Sequence, residues 1–415
     1  MISSPTLLSD VAMKSPWWGK SRGRFWLVIW SVLLGGANVR FLGREPVVLY
    51  FDFVLVIWLV YQVFWNGFLP SLSGWIIKLG AFCLLSGTLS AIVHYQGLYK
   101  SMAAMKVLGC GLLVYAIARK FRLGLLSLSL WGATAGILLL ANYQTIRYGE
   151  YEGEAGLKDV VEIALGRSNY VASILLLLIP VGFAAVVLNK GKIRLVFAAC
   201  SMLMFAGLIA TMSRGAMLAI VVATVLSLPL LYRAGLRVRH SMLVLALGGA
   251  VVFLLPSDLL SANAVLIASR WEESDLSRQE LMRASWECFK ENPVLGVGPG
   301  QLGNAIASHM LVPEYDQQYM NAHNLVLNAL AENGLLAGIA LLAMVGIVLY
   351  KALSTAVAHP TALDVALWLA LLAAVIHNMV EASFEGQQFQ VVFWTVSGIV
   401  EMRRGCLPAT MKPNT

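Results

Sequence analysis

Long apolar runs separated by short polar segments are the feature of this sequence that most restricts its fold. Each run has about the 20 residues that a helix needs to cross the hydrocarbon core of a bilayer. Only 13% of the 415 residues are charged, against about 25% in soluble domains, so a soluble protein could not cover this much apolar sequence. We therefore predict an all-α polytopic membrane protein. Twelve runs occur, at residues 25–42, 47–69, 74–94, 101–118, 123–142, 168–188, 194–211, 215–231, 241–256, 324–350, 363–379 and 388–402.

Two polar stretches are too long to be simple turns between membrane spans. They cover residues 143–167 and 257–323. No cleavage site precedes the first apolar run, so we expect that run to stay as a membrane anchor. The predicted organisation is a tail at 1–24, nine spans at 25–256 with a loop at 143–167, a long loop at 257–323, three spans at 324–402 and a tail at 403–415.

Lysine and arginine are concentrated in alternate connections between the runs. This is the positive-inside pattern, which places both termini in the cytoplasm and both long polar stretches on the outer side. Because topology explains the net charge of +8, we do not expect nucleic-acid binding. The residues that form the pattern are Lys14, Lys20, Arg22, Arg24, Arg119, Lys120, Arg122, Lys190, Lys192, Arg194, Arg233, Arg237, Arg239, Lys351, Arg403, Arg404 and Lys412.

The centre of the long outer loop is predicted to form an amphipathic helix. Ser277 and Glu280 have the spacing of a capping box, with Ser277 as the N-cap, and Asn292-Pro293 ends the helix. Arg278 then lies in the first turn, where a bound anion would offset the unfavourable interaction of its charge with the helix dipole. A surface ion pair with Asp275 explains this arginine equally well.

A glycine-rich segment follows this helix, Gly296-Val-Gly298-Pro-Gly300. It has no preceding strand, as a nucleotide-binding loop would, so we interpret it as a flexible turn. The sequence contains no HExxH, GxSxG, GxxxxGK[ST] or D-x-D motif. The acidic run Glu272-Glu273-Ser274-Asp275 is better explained as a solvated helix start than as a cation site.

Three of the ionisable residues at or within predicted spans stand out. Arg214 stands at the outer boundary between two apolar runs, against the positive-inside trend, which marks it as a functional candidate, although it could also extend toward lipid headgroups. His323 directly precedes an apolar run, where it could be a general base or a helix cap. Glu332 lies inside that run and must face the bundle or a wet cavity.

These residues, taken in order, resemble motifs of the O-antigen ligase and polymerase superfamily. The resemblance covers about residues 211–338, and each motif alone is weak. Its parts are Ser213-Arg214-Gly215, then Ser277-Arg278 with Asn292-Pro293 and Gly296-Val-Gly298-Pro-Gly300, then Ala322-His323-Asn324-Leu325 with Glu332, Gly334 and Gly338.

The resemblance implies a GT-C-type glycosyltransferase with a periplasmic active site in the bacterial inner membrane. Its donor would be a polysaccharide on undecaprenyl diphosphate, and the acceptor of a ligase would be the lipid A-core oligosaccharide. The reaction would be inverting and metal-independent, with no cofactor. Arg214 and Arg278 would hold the diphosphate, and His323 would activate the acceptor hydroxyl. Arg167 and Asn324 are further candidates for binding the diphosphate or a sugar.

Other functions fit the sequence less well. A polymerase of the same superfamily uses the same donor but adds it to another lipid-linked repeat, and the sequence does not separate it from a ligase. A transporter is disfavoured because Asp52 is the main charge within a span and no symmetric pair of broken helices is evident. A scaffold would not explain the boundary arginines. Lys106 and Arg40 are weaker candidates for the site, and the oligomeric state is left open.

Overall fold

The computed structural model describes residues 50–66, 72–94, 98–120, 124–148, 162–163, 166–211, 213–235, 271–310 and 321–406. These residues are almost entirely α-helical, which confirms the predicted fold class. A 3-10 turn at Ser383–Glu385 and a hairpin of two short strands, β1 (Glu162–Ile163) and β2 (Gly166–Arg167), complete the described chain. The helices are α1 (Tyr50–Asn66), α2 (Trp75–Val93), α3 (Leu98–Ala118), α4 (Leu125–Tyr148), α5 (Ser168–Leu188), α6 (Gly191–Ala210), α7 (Arg214–Arg233), α8 (Trp271–Glu291), α9 (Leu302–Ala307), α10 (Leu325–Ala358), α11 (Ala362–Asn378) and α12 (Gln387–Gly405).

Ten of the twelve predicted apolar runs coincide with helices, namely α1 to α7 and α10 to α12. Among the described residues, α2 to α7 and α10 are long and apolar enough to cross a membrane. The chain is therefore a multi-pass membrane protein. The predicted runs at 25–42 and 241–256 lie outside the described residues, as does Arg40.

Helix α5 forms the centre of the bundle. It is apolar on all sides, and such a helix is stable only when other protein surrounds it. It packs against α4, α6, α11 and α12, and Val171 to Leu177 are almost completely buried. The first residues of α5 therefore hold a fixed position at one end of the bundle.

The two ends of the bundle differ in charge. One end carries the basic residues that the sequence places in the cytoplasm: Arg233 ends α7, Lys351 pairs with Glu401 at 2.8 Å, and Arg403 pairs with Asp364. Because successive spans run in opposite directions, α5, α7, α10 and α12 all begin at the other end. That other end is where the motif residues lie.

The amphipathic helix of the long loop is confirmed, but its predicted start is wrong. Helix α8 already includes Trp271, so Ser277 lies inside it and is not an N-cap. The S-x-x-E spacing marks a helix start only where the preceding residues leave the helix, and here residues 271–276 continue it. Leu281, Ala284 and Cys288 then pack against α9 and α10. Arg278 is therefore outside the first turn, and the helix dipole gives no reason for an anion there.

The glycine-rich segment after α8 is an ordered loop and not the flexible turn expected from the sequence. It packs on α10 where that helix breaks at Gly334, whose φ is 71°. The amide of Leu335 donates to the carbonyl of Pro293 at 2.8 Å. A Cβ on Gly296, whose φ is 67°, would lie 2.4 Å from the Glu332 carbonyl. Only glycine permits this close approach, so the loop fixes α8 to α10.

Candidate active site

Three of the predicted site residues come together at the end of the bundle opposite the basic loops. Arg214 is the first residue of α7, Arg278 lies in α8, and His323 lies two residues before α10. All three lie around one carboxylate, Glu381, in the connection between α11 and the 3-10 turn. The fold thus joins residues that are up to 167 positions apart in the chain.

Glu381 is the central residue of the site, and the sequence reasoning missed it. Its side chain is only 4% exposed. Its Oε1 lies 3.0 Å from Nδ1 of His323, and its Oε2 lies 3.8 Å from a terminal nitrogen of Arg278. Asn169, in the first turn of α5, donates a hydrogen bond to Oε2 at 2.5 Å. The contact with His323 is close but lacks hydrogen-bond alignment, so we describe it as an electrostatic contact.

The charged neighbours of Glu381 keep its carboxylate ionised despite burial. Burial by itself would raise the pKa of this group, because it disfavours the charged form. His323, His377 and Arg278 outweigh burial and lower the pKa of Glu381 to about 2. The site therefore contains a fixed negative charge beside His323 throughout the physiological range of pH.

The backbone around His323 holds its ring in a defined orientation. His323 has a φ of 43°, the one left-handed non-glycine residue in the described chain. This conformation costs roughly 1–2 kcal/mol, and such strain is concentrated at functional sites. The His323 amide donates to Oδ1 of Asn321 at 2.9 Å. Because Nδ1 faces Glu381, Nε2 is the ring nitrogen that a substrate hydroxyl would meet.

Asn324, a predicted ligand, has a structural role at the start of α10. Its side-chain oxygen accepts from the amides of Val326 and Leu327 at 3.0 and 3.1 Å. Its side-chain nitrogen donates to the carbonyl of Met379 at 3.0 Å. The amide thus caps α10 and ties it to the segment that carries Glu381, and binding a ligand remains a prediction for this residue.

A narrow polar cleft contains both predicted diphosphate-binding arginines. His377 lines one side of the cleft. Its Nδ1 lies 2.6 Å from Oγ of Ser173, and its Nε2 lies 3.3 Å from Oγ of Ser213. The open space between these side chains is only about 10 Å³, about enough for one water, so the side chains must move apart before a diphosphate can bind. Two guanidinium groups would then suit it, because their planar forks form paired charge-assisted hydrogen bonds to phosphate oxygens. The lining residues are Asn169, Ser213, Arg214, Gly215, Arg278, His377, Val380 and Glu381.

The other candidates differ in how they relate to this cleft. The backbone of Arg167 pairs with Glu162 in the short hairpin, two residues before Asn169, and its side chain lies outside the described atoms. Lys106 forms an ion pair with Asp52 at 2.8 Å and donates to Oε1 of Gln387 at 2.7 Å. It borders a separate cavity and does not line the cleft.

That cavity confirms the expectation for Glu332. It has a volume of about 470 Å³, and Glu332 is part of its wall. The Glu332 carboxylate also accepts from the amide of Gly300 at 3.0 Å. The glycine-rich loop thus supplies a partner for a carboxylate that could not face lipid.

One rule already used for Arg214 could have identified the residues that were missed. His377 lies inside the apolar run 363–379, and Glu381 follows the end of that run directly. Ionisable residues in or beside a membrane span are functional candidates by default. Asn169 carries no comparable signal, because an uncharged amide at a helix start is common.

Comparison with known proteins bears on the segment that holds the arginines and the histidine. Residues 199–342 match the family model described as O-antigen ligase. The match confirms the resemblance to the O-antigen ligase superfamily. A search of curated proteins found no match. The O-antigen ligase segment contains Arg214, Arg278 and His323, whereas Glu381 and Asn169 lie outside it. The match supports a glycan-transfer enzyme of the ligase or polymerase type.

Proposed function

We propose that this protein is an O-antigen ligase of the bacterial inner membrane. It transfers a polysaccharide from undecaprenyl diphosphate to the lipid A-core oligosaccharide at the periplasmic face. The observation that carries the proposal is the meeting of Arg278 and His323 on one buried carboxylate, Glu381, beside the cleft that Arg214 lines. The groups proposed to stabilise the leaving group, to act as the base and to orient that base then lie within one site.

The two arginines stabilise the departing diphosphate. The bond between the anomeric carbon and the phosphate oxygen breaks, and negative charge develops on the leaving group. Preorganised cationic donors bind that charge more strongly in the transition state than in the ground state. Arg214 in α7 and Arg278 in α8 supply these donors, and both residues line the cleft.

His323 removes the proton from the attacking hydroxyl. The acceptor oxygen forms the new bond to the anomeric carbon from the side opposite the diphosphate, so the configuration inverts. The hydroxyl proton passes to Nε2 of His323. Glu381 holds the ring at Nδ1 and stabilises the imidazolium, the role that a carboxylate plays beside a catalytic histidine in serine hydrolases.

The end of the bundle that carries the site supports the periplasmic assignment. Arg214, Arg278 and His323 lie opposite Lys351 and Arg403, and short basic connections favour the cytoplasm. A site at the outer boundary leaves the prenyl chain in lipid while both glycans stay in water.

Deleting the gene tests the proposed function. Bare core together with accumulated lipid-linked polymer is the expected result for a ligase, whereas core carrying a single repeat would assign the polymerase function. Unchanged lipopolysaccharide would rule out both functions. Complementation with Arg214→Ala should fail, and complementation with Arg233→Ala, an arginine at the opposite end of the same helix, should succeed.

A further inference from the structure

A polar cavity lies beside the arginine cleft, separated from it by the segment after α11. Val380 and Glu381 line the cleft, and Ala382 and Glu385 line the cavity. The cavity volume of about 470 Å³ lies within the range of about 300–1,000 Å³ that is typical of small-molecule sites. The proposed mechanism does not use this space.

The wall of the cavity is rich in groups that hydrogen-bond to hydroxyls. Side-chain amides both donate and accept, as the donor and acceptor character of a sugar hydroxyl requires. Several of these amides are already held within the protein: Gln387 bonds to Asp52 and Lys106, and Gln390 bonds to Phe384 and Trp394. The amides are Asn304, Asn328, Asn333, Asn378, Gln387, Gln388 and Gln390.

The charges on the cavity wall are balanced. Lys100 and Lys106 face the same space as Glu332 and Glu385. Lys106 is further neutralised by Asp52 at 2.8 Å. The cleft instead combines two arginines with one carboxylate. The paired arginines of the cleft therefore favour a phosphate group, whereas the cavity wall has no such excess of positive charge.

A short chain of contacts joins the cavity to the proposed base. Asn321 donates to Oε2 of Glu385 at 3.4 Å, and its Oδ1 accepts from the amide of His323 at 2.9 Å. Enclosure by protein, and then the neighbouring Glu332, raise the pKa of Glu385, although its residue surface is open to the cavity.

We propose that this cavity is the acceptor subsite, which binds uncharged core sugars of the acceptor and presents a hydroxyl to His323. The assignment rests on the proposed ligase function. The cavity and the arginine cleft lie on opposite sides of the segment that carries Glu381. In an inverting transfer, the leaving diphosphate and the attacking hydroxyl must lie on opposite sides of the anomeric carbon, and this arrangement fits that requirement.

Filling the cavity tests the assignment. Ala103 lines it from α3, and the neighbouring Met102 is 53% exposed on the outside of the same helix. We would measure saturation-transfer NMR between the purified full chain in nanodiscs and free, dephosphorylated core oligosaccharide. Ala103→Phe should lose most of the sugar signal, and Met102→Phe should keep it.

A second variant covers the case in which Ala103→Phe does not fold. Gln388→Leu removes one hydrogen-bonding amide, and it should raise the acceptor KM about two- to tenfold, the value of one neutral hydrogen bond. The KM for the lipid-linked donor should not change. A change confined to the donor KM would overturn the assignment.

The test separates failure of the subsite from failure of the ligase proposal. Arg278→Ala should lose transfer while keeping the sugar signal, because the arginine lies outside the cavity. If the wild type transfers glycan but core oligosaccharide binds equally to the wild type and Ala103→Phe, only the subsite is wrong. Binding of free repeat-unit glycan in place of core would also overturn the acceptor assignment. Absence of transfer by the wild type would instead overturn the ligase proposal.

Discussion

Replacing Glu381 by glutamine would keep the shape of the side chain and remove its charge. The carboxylate lies 3.0 Å from Nδ1 of His323 and 3.8 Å from Arg278. Its pKa is lowered from 4.5 to about 2, which corresponds to on the order of 3 kcal/mol in favour of the ionised form. Because that shift combines the charges of His323, His377 and Arg278, only the share from His323 grows when its ring becomes an imidazolium. A share on the order of 1–2 kcal/mol corresponds to a fall in kcat of about tenfold.

The measurement is steady-state transfer by purified protein in nanodiscs, with the donor and acceptor concentrations varied separately. Glu381→Gln should lower kcat with little change in either KM, because the interaction develops only in the transition state. Glu401→Gln is the matched control, since Glu401 pairs with Lys351 at 2.8 Å at the opposite end of the bundle. If Glu381→Gln retains half of the wild-type kcat, the orienting role of Glu381 is refuted.

Four further perturbations test other parts of the argument. Arg278→Ala should lower kcat by a factor of about 10² or more, whereas Arg283→Ala, in the same helix and 42% exposed, should leave transfer within about twofold. Gly296→Ala should lower the thermal stability by about 2 kcal/mol or more through backbone strain and the clash with α10, while Gly346→Ala, which has open space around it, should be neutral; equal melting temperatures for the two variants would contradict the packed loop. EDTA should not reduce transfer, and a loss restored by a divalent cation would contradict the metal-independent reaction. Because the folded pKa of Glu381 lies below 4.5, its stabilisation is lost as the pH falls from about 4.5 toward about 2, so the stability difference between wild type and Glu381→Gln should shrink over that range.

The presence of the helices was predictable from the sequence, because a chain segment buried in lipid has few alternatives to a helix. An apolar run of about 20 residues must satisfy its backbone hydrogen bonds internally, which only a helix does without partner strands. The predicted run 168–188 is reproduced as Ser168–Leu188, and 215–231 as Arg214–Arg233. The charge of the short connections similarly distinguished the two ends of the bundle.

Features that depend on contacts between distant segments were not predictable. The packing of Leu281 and Cys288 against α9 and α10 could not be predicted from the spacing within α8. The glycine-rich segment resembled a free turn in the sequence, but its amides pair with α10. In both places, the contact is with a distant part of the chain that the local pattern does not specify.

The sequence by itself determined that this chain forms membrane-spanning helices, and its motifs marked Arg214, Arg278 and His323 as residues of interest. It did not determine that they share a site, or that Glu381 and Asn169 complete it. Apolar periodicity and charge are properties of each segment alone, so they can be read one segment at a time. A site depends on which helix ends become neighbours, and only the packing of α5, α7 and α10 around α11, with α8 packed on α10, decides that.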